Sequence, residues 1–184
     1  MKKGIQLLIM CFILLSITAC SYPTMSEAIP YQVNQIIHTE KMNDISIVLY
    51  DTITELEEFT DKTKPVLGVA FLKGDSKDGW DNVGPNGWKN KENDQITIYK
   101  EDFRDYDKEG NITSDLSIMY GEIVSPEINK IETLAVGETD KYNEAIMIEK
   151  NKKRYYLAIG KKTSIKALSA NGDTIYQEDW VLED

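Results

Sequence analysis

Six short apolar segments follow one another through the last 70 or so residues: LSIMYGEIV, INKIETLAV, EAIMIEK, RYYLAIG, SIKALSA and DTIYQEDWV. Turn chemistry separates them, at Ser125-Pro126, Gly137, Asn151-Lys152, Gly160 and Asn171-Gly172. None is long enough for a stable helix, and all are rich in β-branched or aromatic residues. This spacing predicts an antiparallel β-sandwich or small barrel over residues 113–184. At Asn171-Gly172 the pair predicts a type I′ turn, which needs φ > 0 at both central positions.

The preceding part reads as a smaller β-rich (α+β) unit over residues 31–112. VNQIIHTE and ISIVLY, joined by residues 41–44, read as a hairpin. VLGVAFL, after Pro65, is apolar enough for a central strand. TELEEFTDKTK reads as a loop or short helix. Residues 75–94 combine Gly, Pro, Asn and Asp with two tryptophans, a long loop with room for one hairpin around residues 85–87. QITIYK restores alternation. Residues 101–114 are charged and contain Gly110-Asn111, which places a subdomain boundary there. One helical turn is expected at residues 26–29, before Pro30. The mature chain shows no long 3.6-residue apolar period and no internal repeat.

The N-terminus has the layout of a secretory signal over residues 1–19. Lys2 and Lys3 precede an apolar run interrupted by Gln6 and Ser16, and small residues close it at Thr18 and Ala19. The run is short for a membrane span, which needs about 20 apolar residues. ITAC, residues 17–20, resembles the lipobox of bacterial lipoproteins. That resemblance implies a diacylglyceryl thioether on Cys20, carrying chains such as palmitate, and cleavage before it. A thiolate is the nucleophile such chemistry needs. Two acyl chains, at about 0.8 kcal/mol per buried CH₂, anchor where one is marginal. Residues 20–30 then read as a lipidated tether.

Cleavage after Ala19 leaves 165 residues of the 184. Disulfides cannot help them fold, because Cys11 leaves with the signal and Cys20 is committed to lipid. Removing Lys2 and Lys3 takes the basic residues from 21 to 19, against 31 acidic ones, a net charge of −12. That balance disfavours nucleic acid as a partner. Residues 150–166 run the other way, with seven basic residues and no acid. They read either as a solvated hairpin with lysines guarding an edge or as a stripe touching anionic lipid or wall polymer.

No motif assigns catalysis. A Ser-His-Asp set would have to use His38, the only histidine, which sits in an expected strand. No G-x-S-x-G elbow is present. One histidine and no free cysteine do not make a zinc set. Asp75, Asp78 and Asp81 offer oxygens, but their spacing is not that of an EF-hand. GKKTS at residues 160–164 lacks the upstream glycine and the helix of a phosphate loop. Glu55, Glu57 and Glu58 are abundant acids without a known separation. Trp80 and Trp88, each after a glycine, are the candidate ligand-binding residues. Each can anchor a ligand by stacking, or fold back to cover the core.

The lipobox, IIHTEK, GVAFLKG, YGEI and the ending KNKKRYYLAIGKKTSIKALSANGDTIY together resemble a family of small uncharacterised lipoproteins and secreted proteins of low-GC Gram-positive (Bacillus-type) bacteria. The resemblance implies a β-rich body under a lipid anchor; no activity is attached to that family, and no catalytic residue carries over from it. The expectation is therefore a non-enzymatic binding or interaction module on the extracytoplasmic face of the cell membrane. It needs no cofactor or metal, and its partner is a protein or a cell-wall polymer. The alternative is a cell-surface hydrolase or carbohydrate-active protein using carboxylates near the Trp80/Trp88 loop.

Overall fold

The computed structural model describes residues 21–54, 64–84 and 89–180. After a one-turn helix, α1 (Met25–Ala28), β1 (Val33–Met42), β2 (Ile45–Thr54), β3 (Lys64–Asp75) and β4 (Gly79–Asn82) form a first sheet in that order. The chain crosses to a second sheet with β5 (Lys89–Glu92), β6 (Thr97–Tyr106) and β7 (Ile112–Ile123). It then gives β8 (Lys130–Ala135) and β9 (Tyr142–Glu144) to a third sheet. It returns to the second with β10 (Ile146–Lys150) and β11 (Lys153–Ile159), and ends in the third with β12 (Lys162–Leu168) and β13 (Thr174–Asp179). The second sheet runs β10-β11-β7-β6-β5 and the third β13-β12-β8-β9; every pairing is antiparallel.

Burial explains the layering. Ile47, Leu49, Leu67, Val69 and Phe71 of the first sheet meet Tyr99, Phe103, Ile118, Tyr120 and Leu157 of the second in one core. The opposite face of the second sheet, with Ile98, Met119, Tyr156 and Ala158, meets Ile131, Ile165 and Ala167 of the third. The second sheet is thus the middle of three layers, covered on both sides. That is why YYLA is apolar at successive positions and has lost the period-2 signal of a half-buried strand. The outer face of the first sheet is covered too, by Ala28 and Ile29 over Val48, Tyr50, Ala70 and Leu72. Polar gaps are filled from within. Arg154 donates to the carbonyls of Ile128 and Ser125 at 2.5 Å each, and the Tyr156 hydroxyl donates to the Thr97 carbonyl at 2.9 Å.

The mainly β architecture is the one expected, but five details differ. Among the described residues no sheet closes, so of the sandwich and the small barrel expected as alternatives the barrel is set aside and packed open sheets remain. The boundary expected at residues 112/113 falls inside the β6–β7 hairpin, whose strands pair from Tyr99↔Tyr120 to Tyr106↔Ile112. Residues 85–87, where a hairpin was expected, lie outside the described residues; the strands on either side pair away from each other, β4 in a hairpin with β3 and β5 with β6. EAIMIEK is two strands. The chain changes sheets at buried Ala145, whose N–H donates to the Ile131 carbonyl. Finally, Gly172 has φ 87° but Asn171 is not left-handed. Ser169 Oγ accepts from the N–H groups of both Asn171 and Asp173, which stabilises a wider turn. Among the described residues, the two-residue turn with both φ positive is Asn151-Lys152, at 50° and 67°, joining paired Lys150 and Lys153.

Two interlayer contacts set the relative direction of the first two sheets. Phe71 stacks on Phe103 with centroids 4.8 Å apart, and two residues further along each strand Lys73 pairs with Asp105 at 2.5 Å. β3 and β6 therefore run the same way, and the β3–β4 and β6–β7 turns share one end of the molecule. Among the described residues, β5 pairs only with residues 97–100 of β6, and along β7 β11 pairs only with residues 118–123. Beyond them the β6–β7 hairpin continues as a two-strand ribbon.

Candidate functional site

Cys20 and Trp88 lie outside the described residues, as do Glu55, Glu57 and Glu58. The residues next to Cys20 do not form the free tether expected over residues 20–30. Tyr22 pairs with Trp80 through two backbone hydrogen bonds, N–H to carbonyl in each direction, at 2.8 and 2.7 Å. Ser21 Oγ donates to the Asp78 carbonyl at 3.0 Å. Thr24 caps α1, accepting from the Glu27 N–H and donating to the Glu27 carboxylate. Ala28 and Ile29 are then buried. The cause is elementary: the outer face of β2 and β3 is apolar, and MSEAI supplies the side chains that keep water off it.

Trp80 belongs to this junction. Its side chain packs, half-buried, against the cluster formed by Ala28, Ile29, Val48 and Leu72. Gly79 makes the junction possible. Its φ of 94° is a region L side chains avoid, and a Cβ there would stand 2.7 Å from Ser21 Oγ.

The other residues singled out by sequence are dispersed. His38 faces Glu40 at 3.2 Å on β1. Asp75 Oδ1 accepts from the N–H groups of Lys77 and Asp78, and those bonds hold its carboxyl below the usual range. Among the described residues no three His, Cys, Asp or Glu side chains are placed to share a metal ion. The basic residues 150–166 do not form one stripe. Lys150 and Lys152 sit at the β10–β11 turn, and Lys153 pairs with Glu122 at 3.1 Å. Lys161 and Lys162 lie at the far end of β11, and Lys166 is held over the Tyr142 ring at 3.8 Å. The β10–β11 turn is also at the end away from Ser21. Asn151 donates to Gln35 at the start of β1, whereas the β1–β2 turn reaches Lys73 through Asp44.

A polar shelf was missed by the sequence reading. Along TIYKEDFRDY, Tyr99 and Phe103 face the first sheet, with Glu101 between them. Lys100, Asp102 and Arg104 take the other face. The Lys100 ammonium sits 3.3 Å from the Trp180 ring centroid, closing the gap between second and third sheets. Burial pulls its pKa down to about 8, while Glu178 and Asp102 pull it back up. Beside it, buried Ser117 donates a short hydrogen bond to Asp102, its cross-strand partner. Glu101 moves the other way. Burial, then the neighbouring Asp102 charge, push it up to about 7. The signal was available: alternation persists through KEDFRDY, but its charges read as a boundary.

No helix among the described residues is long and apolar enough to cross a membrane. Compared with known proteins, the chain matches no family model, no curated protein and no solved structure.

Proposed function

We propose that this chain is a lipoprotein held on the extracytoplasmic face of the cell membrane by a diacylglyceryl thioether on Cys20, with its β body serving as a binding module for a protein or a cell-wall polymer. The observation that supports the reading most is the lipobox-like ITAC ending at Cys20, followed at once by Ser21 and Tyr22, which are hydrogen-bonded to the β3–β4 turn. Processing before Cys20 would keep every one of those bonds. The hydrolase alternative needs a general acid that keeps its proton near neutral pH. Beside Trp80, Asp75 is held below the usual carboxylate range by its own turn, so it does not fill that role.

Mass spectrometry of the processed N-terminus tests the anchor. The expected mass carries a diacylglyceryl group on Cys20, and Cys20→Ser is expected to accumulate unprocessed or leave the membrane fraction. A bare thiol, or membrane retention of a processed Cys20→Ser chain, overturns it. Cross-linking and co-purification of the anchored protein then test the module. A reproducible protein or glycan partner supports it, whereas turnover of a wall polymer by the purified body supports the hydrolase.

A further inference from the structure

We infer that the end of the molecule bearing Ser21 is itself a bilayer-contacting surface, where Tyr22 and the β6–β7 tip residues Tyr106 and Ile112 seat in the headgroup region. This rests on the lipid-anchor reading and adds an orientation to it. The first argument is length. Consecutive Cα atoms are about 3.8 Å apart, and Ser21 is already hydrogen-bonded to the β3–β4 turn through the Asp78 carbonyl. A lipid on Cys20 therefore cannot stand off from the body as it would on a flexible tether. Whatever surface surrounds Ser21 is brought against the membrane.

The second argument is what that surface carries. β3 and β6 run in the same direction, shown by the Phe71–Phe103 and Lys73–Asp105 contacts, so the β6–β7 tip points the same way as the β3–β4 turn. At that tip Tyr106 and Ile112 are cross-strand partners, each 54% exposed, and Tyr22 beside the anchor is 47% exposed. An exposed aromatic–aliphatic pair at the end of a ribbon costs solvation in water, while the membrane interface favours such side chains, tyrosine above all. The tip is also closed by its own hydrogen bonds. Asp107 accepts from the N–H groups of Glu109 and Asn111 and from the Asn111 side-chain amide. Charge does not supply the attraction, since Asp75, Asp78, Asp107 and Glu109 outnumber Lys77 and Lys108 at this end. The contact should accordingly depend little on anionic lipid.

The experiment uses the full lipidated chain in phosphatidylethanolamine–phosphatidylglycerol vesicles. Because the thioether consumes Cys20, a nitroxide on Lys108→Cys reports the tip alone, and one on Asn171→Cys reports the opposite end. Vesicle flotation and the N-terminal mass are measured on the same samples. Expected is a label at 108 that is several-fold more accessible to oxygen, relative to a water-soluble nickel complex, than the label at 171. Tyr106→Ser with Ile112→Ser should lower that ratio while the protein still floats. So should a twelve-residue Gly-Ser insertion between Cys20 and Ser21. If the lipidated protein floats but the two labels are equally accessible to nickel, this inference fails and the anchor stands. If the N-terminus is a bare thiol, the anchor fails and the inference with it. Label–label broadening at 108 that disappears on dilution with unlabelled protein assigns the tip to a second copy and overturns the lipid assignment.

Discussion

Lys152 occupies a left-handed turn position, φ 67°, that costs a residue with a Cβ about 1–2 kcal/mol. Its neighbour Asn151 is better suited, because its short amide tolerates φ > 0 and here also donates to Gln35 at 2.6 Å. Lys152→Gly should raise stability by about 1 kcal/mol, read as a higher denaturant midpoint with an unchanged slope. A lower midpoint would mean that the lysine stem contributes packing that the turn geometry does not reveal. Glu101 gives a second test, with a definite sign. Between the ordinary glutamate value and about 7 the folded protein keeps a proton that the unfolded chain has released. Stability from this group therefore falls as pH rises through that window. Glu101→Gln should raise Tm more at pH 8 than at pH 5, and equal effects at both would show that the carboxyl does not titrate there.

At the scale of elements, the junction of Ser21 and Tyr22 with β4 hangs on Gly79. Gly79→Ala places a methyl against Ser21 in a backbone region it disfavours. The expected result is a loss of about 1–2 kcal/mol, together with faster hydrogen exchange at the amides of Tyr22 and Trp80. Unchanged exchange would show that the N-terminal segment is held elsewhere. How much of this was legible varies with the physics. The β1–β2 hairpin, the apolar core of β3 and most C-terminal strands could be read, since β-branched runs between turn residues are local signals. Residues 21–30 read as a tether because their partners, Asp78 and Trp80, are more than fifty positions away. β6 was cut short at Lys100 since Glu101, Asp102, Arg104 and Asp105 hide the alternation that buries Phe103. The turn at residues 171–173 was misread because Ser169, outside the Asn-Gly pair, decides its width. Trp80 as a lid on the outer core was one of two readings left open, and the Lys100–Trp180 contact joins residues no local window contains.

For the whole molecule, the middle sheet governs cooperativity. It takes β5 and β6 from before residue 112 and β7, β10 and β11 from residue 112 onward. The inner face of the first sheet is covered partly by Ile118, Tyr120, Ile148, Tyr155 and Leu157. A fragment of residues 21–112 keeps the first sheet but loses that cover. It should show no cooperative thermal transition by circular dichroism and should bind a hydrophobic dye. A sharp melting transition in that fragment would instead establish two independent folding units.

The sheet change at Ala145 has a consequence for the order of events during synthesis. The first sheet emerges early with an oily underside, and the strands that close over it end only at Ile159. Until that late segment leaves the ribosome, the nascent chain carries an open, adhesive half-sandwich. A chaperone or the pace of synthesis, and not its own tertiary structure, has to keep it from sticking to its neighbours.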